Sequence, residues 1–185
     1  MERRQYLKMM VLGSMLLWGT ETLQGQYSGG SGTPADPYLI ATPGDLKTIG
    51  DDSVHWDKHF QLTADLDMTG VVMTPIGHYY TAPFSGAFDG DGHTIANLTI
   101  NLPDSSQVQV GLFGYVDSAF ESTIFNLGLI DPDITGRSSV GALAGSLTSG
   151  TVWACYAQGG SVNGWRSHVG GLVGVTYADP MMNAC

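Results

Sequence analysis

Pairs of carboxylates are the residues of this chain best placed to do chemistry. Asp65 and Asp67 stand two apart around Leu66, and Asp131 and Asp133 stand two apart around Pro132. Two carboxylates on one outer face supply the acid and base that act on a glycosidic bond, the chemistry of a polysaccharide lyase or hydrolase. Such an enzyme also needs cations to hold a developing anion or an acidic substrate, and beyond residue 59 the chain has only Arg137 and Arg166. The favoured reading is solvated turn carboxylates and no catalytic residue, with the polysaccharide-degrading enzyme kept as the alternative.

His55 and His59 lie four apart, a spacing that lets two imidazoles share a metal on a helix. The zinc-peptidase form of that motif requires Glu directly after the first His, where Trp56 stands, and Lys58 lies between the two. They read as surface histidines, and no metal site is expected. The run Asp89-Gly90-Asp91-Gly92 resembles a calcium turn, yet the twelfth position counted from Asp89 is Ile100 rather than the Glu of an EF-hand loop. An Asp-Gly turn held by side-chain to backbone hydrogen bonds is expected, with no cofactor; calcium at Asp89 and Asp91 is the alternative.

For contact rather than catalysis, the candidates are Tyr79, Tyr80, Trp153, Trp165 and Tyr177. Exposed aromatic rings stack on sugars or on partner surfaces, so the partner would be an extracellular glycan or protein. A module that merely holds another domain at a distance would need none of them. The two cysteines, Cys155 and Cys185, occupy like positions in neighbouring repeats. Two readings stay open for them: a buried ladder of small side chains, or a disulfide across a separation of about 5 Å.

All these residues must be positioned by a repeating scaffold. VGLFG, VGALAG and VGGLVG begin at Val110, Val140 and Val169, and their leucines, Leu112, Leu143 and Leu172, recur at 31 and 29 residues. A second pattern runs Ile95-x-Asn97-Leu98-x-Ile100, Ile124-x-Asn126-Leu127-x-Leu129 and Val152-x-Ala154-Cys155-x-Ala157, at offsets of 29 and 28. Periods of 20 to 50 residues mark repeat architectures, and alternating apolar residues punctuated by Gly, Asp, Asn and Ser read as short strands and tight turns. A unit of two or three such strands cannot bury its own apolar face, so units must stack. The fold expected is all-β, a right-handed parallel β-helix or β-solenoid of about 29-residue coils.

In that fold Val140, Leu143, Val169 and Leu172 point inward. Gly111, Gly114, Gly141, Gly145, Gly170, Gly171 and Gly174 serve as corners, where the chain needs positive φ or where two backbones approach. Asn97, also a glycosylation sequon by pattern, is expected to point inward and stack above Asn126. Phe60, Leu62, Ala64, Leu66 and Met68 alternate without a break, a strand bent near Ala64. Ahead of it, Tyr38 to Ile40 is a short strand. Thr42 and Pro43 then open a short helix with Leu46 and Ile49 inside and Gly50 at its end, placed to cap the first coil. Met182-Asn183-Ala184-Cys185 repeats the positions of Val152-Trp153-Ala154-Cys155, which reads as a further coil cut short.

Residues 1–25 form a separate block, with Arg3, Arg4 and Lys8 ahead of an apolar run from Met9 to Trp18. This is the pattern of a secretory signal peptide, cleaved within a few residues of Gly25, with a retained anchor as the alternative. The run is too short to span a bilayer. The whole chain carries a net charge of −10, and residues beyond 25 hold four basic groups against fifteen acidic ones. Such a surface repels nucleic acid and anionic lipid. The domain layout expected is a signal peptide at 1–25, a lead-in segment and N-terminal cap at 26–59, and solenoid repeats at 60–185.

The residues Phe84-x-Gly86-x-Phe88-Asp89-Gly90-x-Gly92-His93-x-Ile95-x-Asn97-Leu98, followed by the three VG motifs, resemble the GLUG-motif repeat proteins. The stretch GGSGTPADPYLI at 29–40 resembles the start of their exported bacterial members. The resemblance covers 29–185. It implies a bacterial surface or extracellular location, as in the non-catalytic parts of IgA-cleaving metallopeptidases and adhesin-like proteins; further domains of a longer chain are expected from the coil cut short at Cys185. It implies a β-helix-like fold and no catalytic residue. VGLFG departs by being one residue shorter than its successors, which puts the first corner in doubt.

Overall fold

The computed structural model describes residues 25–185, apart from 80, 105, 107, 118–122 and 179. Residues 1–24 of the expected signal peptide, and Tyr80, lie outside the described residues. Strand β1 (Tyr38–Ile40) leads into helix α1 (Pro43–Asp51) and a 3-10 turn at Ser53–His55. The second coil holds β2 (His59–Leu62) and β3 (Leu66–Asp67). The third holds β4 (Ala87–Asp89), β5 (Thr94–Ala96), β6 (Thr99–Asn101) and β7 (Phe113–Val116). The fourth holds β8 (Thr123–Phe125), β9 (Gly128–Ile130), β10 (Asp133–Gly136) and β11 (Ala144–Leu147). The fifth holds β12 (Thr151–Trp153), β13 (Tyr156–Gln158), β14 (Ser161–Gly164) and β15 (Val173–Thr176), and β16 (Met181–Asn183) follows.

Every strand pairing is parallel and joins like positions of successive coils. The result is an all-β, parallel β-helix-like fold with four faces. One face is the sheet β1-β2-β4-β8-β12-β16; the others are β3-β5-β9-β13, β6-β10-β14 and β7-β11-β15. A complete coil therefore carries four strands, where the sequence pattern predicts two or three. Corners that look like loops in one dimension separate strands belonging to different sheets.

The core is made of inward columns. Phe60, Phe88, Ile124 and Val152 stack through one face; Leu66, Ile95 and Leu129 stack through the next, and all are buried. Each such side chain contributes roughly 1.5 to 3 kcal/mol when fully buried. The column register corrects the sequence alignment. Ile95 pairs with Leu129, not with Ile124, and Ile124 pairs with Phe88. The two Ile-x-Asn-Leu runs are alike because they make the same local turn at different corners, so their similarity reports turn chemistry rather than coil position.

Those turns place Asn97, Asn126 and Ala154 in the left-handed region, at φ of 56°, 55° and 50°. Asn97 consequently faces solvent and donates from Nδ2 to Asp67 Oδ1 at 2.9 Å, and Asn126 donates to Asp89 Oδ1 at 3.3 Å. The inward asparagine stack is thus overturned. A left-handed residue turns its side chain out while the next one, Leu98, Leu127 or Cys155, fills the core.

Of the two reasons expected for the VG glycines, positive φ does not apply, because none of them takes it. Close backbone approach is what Gly111, Gly141, Gly145, Gly170 and Gly174 permit, though not Gly171: a Cβ on Gly141 would lie 2.4 Å from the Ala144 carbonyl oxygen and 2.7 Å from Gly174 N. The one-residue deficit of VGLFG is absorbed between Val110, which bridges Val140, and Phe113, which pairs with Ala144. Val140 and Leu143 are fully buried, whereas Val169 is 46% exposed and Leu172 is half-buried against the core. Burial in a solenoid comes from neighbours on both sides, and the last coil is covered on one.

Helix α1 is set by a capping box in which Thr42 Oγ1 accepts from Asp45 N at 3.1 Å and Asp45 Oδ2 accepts from Thr42 N at 2.9 Å. It runs through Gly50 to Asp51, one residue beyond the sequence expectation. Leu46 and Ile49 are buried, and Gly50 sits tightly against the Thr74 carbonyl. The alternating run from Phe60 to Met68 bends at Ala64, where the chain passes from one sheet to another.

Candidate functional site

The second coil departs from the repeat at one place. Ile76 bridges Phe113 and Phe84 bridges Val116, so residues 77–79 and 81–83 belong to an excursion from what would be a continuous strand on the β7-β11-β15 face. His78 and Ala82 pair antiparallel within it, N to O at 2.7 and 3.1 Å. Gly77 makes the exit possible: its φ is +84°, and a Cβ there would lie 2.2 Å from the Tyr115 carbonyl oxygen. Tyr79 is thereby carried over Tyr115, ring centroids 5.0 Å apart and nearly perpendicular, the edge-to-face geometry that aromatic pairs prefer.

Beneath this pair lies an open groove of about 500 Å³ lined by Tyr79, Gln109, Tyr115, Ser146, Thr148 and Tyr177. Tyr115 and Ser146 are paired in register on β7 and β11, and Thr148 and Tyr177 directly follow the paired residues Leu147 and Thr176. Successive coils thus add to one wall, and the groove spans four coils, about 14 Å at 4.8 Å per strand. Thr148 Oγ1 donates to the Tyr115 hydroxyl at 3.1 Å, which donates in turn to Asp117 Oδ2 at 3.4 Å; Ser149 Oγ donates to Asp117 Oδ1 at 2.7 Å. Burial, reinforced by the Asp117 carboxylate, pushes the Tyr115 phenol above its ordinary range and keeps it a neutral donor. Ser146 Oγ is fully buried with no hydrogen-bond partner among the described residues. An orphaned buried hydroxyl costs about 1 to 3 kcal/mol.

Of the five aromatic candidates, the structure brings Tyr79 and Tyr177 to this groove, each 52% exposed. Trp153 stands half-exposed on β12 in the six-stranded sheet, and Trp165, 75% exposed, follows β14 on a third face. Tyr115, Gln109, Ser146 and Thr148 escape the sequence reading. The available signal was position: Tyr115 directly follows VGLFG and Ser146 directly follows VGALAG.

The carboxylates are occupied in turns. Asp65 Oδ1 accepts from Thr94 N at 2.8 Å and contacts His93 Nδ1 at 3.2 Å; Asp67 Oδ1 accepts from Thr69 N, Thr69 Oγ1 and Asn97 Nδ2. These bonds hold both carboxyls below the usual range, the opposite of what a general acid needs. Asp133 accepts from Ser161 Oγ at 2.8 Å, and Asp131 takes a left-handed turn at φ 49°. Asp89 Oδ1 accepts from Asp91 N at 2.8 Å, and Asp91 Oδ2 accepts from Gln61 Nε2 at 3.2 Å. That turn closes on its own backbone. His55 belongs to the 3-10 turn and packs with Tyr27 and Tyr38, while His59 opens β2, so no helix presents them together.

Both cysteines are free thiols. Cys155 Sγ reaches back one coil to the Ile124 carbonyl at 3.6 Å, and Cys185 Sγ reaches back to the Val152 carbonyl at 3.8 Å. The two thiols therefore point the same way along the ladder rather than at each other. Burial lifts the Cys155 thiol to about 11.

No protein-family model matches the chain. Halomucin of Haloquadratum walsbyi is 36% identical over 164 residues, 83% of this chain and 2% of halomucin. A protein of Evansella cellulosilytica, provisionally named a Gly-rich membrane protein, is 34% identical over 128 residues, 66% of this chain and 14% of that protein. The chain thus spans a small part of either relative's length. Among solved structures, a Bacteroides ovatus protein provisionally named an immunoglobulin A1 protease superposes with a TM-score of 0.50 at 19% identity, covering 85% of this chain and 67% of that one. That likeness shows the fold. Among the described residues no helix is long and apolar enough to cross a membrane.

Proposed function

We propose that the protein is a non-catalytic, secreted or cell-surface repeat module of the GLUG type, which contacts an extracellular glycan or protein through its tyrosine groove. The observation that carries the reading is the groove itself. Four coils and one insertion converge to present aromatic rings and hydroxyls on an otherwise repetitive scaffold, and aromatic rings with polar tips are the groups enriched at contact surfaces. The matches to halomucin and to a protein named for a membrane support a place outside the cytoplasm. The engaged state of Asp65 and Asp67 supports a non-catalytic role.

The test is fractionation of a bacterium expressing the full chain with a C-terminal tag, followed by protease treatment of intact cells. Recovery in the medium, or on the surface with loss to external protease, is expected; retention inside the cell would sink the reading. Incubation with acidic polysaccharides should release no unsaturated or reducing ends. Turnover that disappears in Asp65→Asn or Asp133→Asn would replace the module with an enzyme.

A further inference from the structure

We infer that the groove takes a short stretch of uncharged, hydroxyl-rich glycan laid along the stacking axis of the coils. The inference rests on the surface-contact reading and names the chemistry of the partner. Three features of the lining select it. First, Tyr79 and Tyr177 offer half-exposed rings at the two ends of the groove, with Tyr115 between them, and ring faces stack on the apolar faces of sugars.

Second, the polar groups are neutral and point to hydroxyls as their complement. The Tyr115 and Thr148 hydroxyls form a hydrogen-bonded pair at 3.1 Å that retains acceptor capacity. Ser146 Oγ, buried behind the lining and without a partner among the described residues, keeps that part of the wall uncharged as well.

Third, charge excludes acidic sugars. None of Lys47, Lys58, Arg137 or Arg166, the basic residues beyond position 25, lines the groove. Asp117 sits instead behind Tyr115, accepting from Tyr115 and Ser149. A uronate or sialate carboxylate would meet a negative field with no cation to offset it. A length of four coils suits an oligosaccharide strand better than a single ring.

Native electrophoresis of the full chain through gels containing dextran, mannan or xylan, with alginate and polygalacturonate as the anionic counterparts, tests this. Retardation by at least one neutral polysaccharide and by neither anionic one is expected. Tyr79→Ala and Tyr177→Ala should each weaken it about tenfold, while Tyr79→Phe and Tyr177→Phe retain it. Trp165→Ala, on another face, should leave it unchanged. Circular dichroism of each variant must match the parent chain. No retardation by any neutral polysaccharide, retardation by the anionic ones alone, or indifference to both tyrosine truncations overturns the inference. A protein that is still exported to the surface while failing here loses its glycan and keeps the module reading.

Discussion

Gly141 fills the second position of its VG motif and Gly171 the third position of the next, and the space around them differs completely. A methyl group at Gly141 would press into the Ala144 carbonyl and the Gly174 amide, both backbone atoms that cannot swing aside, whereas one at Gly171 meets nothing within 4 Å. Neither takes positive φ, so strain plays no part in the comparison. Gly141→Ala is expected to lower stability by about 1 to 3 kcal/mol, the usual cost of overpacking. Gly171→Ala should be neutral or slightly stabilising, since it restricts only the unfolded chain. Urea midpoints of the two variants decide it; equal midpoints would mean that the coil spacing at Gly141 relaxes freely. Part of that crowding was legible in the motif, since the Ala144 carbonyl lies three residues on in the same VGALAG run and Gly170 meets the Val173 carbonyl in the same way, but the Gly174 amide is supplied by the next coil.

At the scale of the element, the β8-β12-β16 ladder and its following corner carry Cys155 and Cys185 into successive rungs. Cys155 is buried between coils with its thiol raised to about 11, and Cys185 is exposed on the last rung. One thiol per molecule should therefore react with a disulfide reagent in the native state at pH 8, and two after denaturation. Alkylation followed by mass mapping should place the fast site at Cys185. Zero reactive thiols in both states would show a Cys155–Cys185 disulfide instead, and with it a reorientation of both Sγ atoms away from the carbonyls of the preceding coil. Equivalence of the two positions could be read from the 30-residue offset. The direction of each thiol follows from the left-handed Ala154 and Ala184 before them, a backbone feature that Ala does not advertise.

For the molecule as a whole, carboxylates stitch coil to coil at the corners, and pH should expose that. Asp65 is held low chiefly by the Thr94 backbone N–H and then by His93; Asp67 chiefly by the Asn97 side chain and then by Thr69. A carboxyl whose folded pKa is depressed adds stability above the ordinary value of about 4 and loses it as pH falls through the lower folded value. Tyr27 behaves oppositely: burial, then the nearby Asp52 charge, raises its phenol, so its contribution is complete below the ordinary value of about 10 and fades as pH climbs beyond it. Denaturant midpoints should accordingly be level between about pH 5 and 9 and fall on both sides. Asp65→Asn and Asp67→Asn should flatten the acid limb; variants that track the parent chain below pH 4 would remove these corners from the account.

Residue types and their spacing determined the class of object: Val, Leu and Ile alternating between Gly and Asx turns at a near-29-residue period can only bury their apolar side by stacking. The capped helix at Thr42 and Pro43 and the bend at Ala64 were equally local and equally legible. Register was not. Ile95 and Ile124 look alike in sequence because the turn after each demands the same residues, but which coil position each fills depends on how many residues the intervening corner absorbs. The groove lay still further out of reach. Tyr79, Tyr115, Ser146 and Tyr177 are separated by about thirty residues apiece, and only the stacking of four parallel coils, with an insertion folded back at Gly77, sets them along one wall.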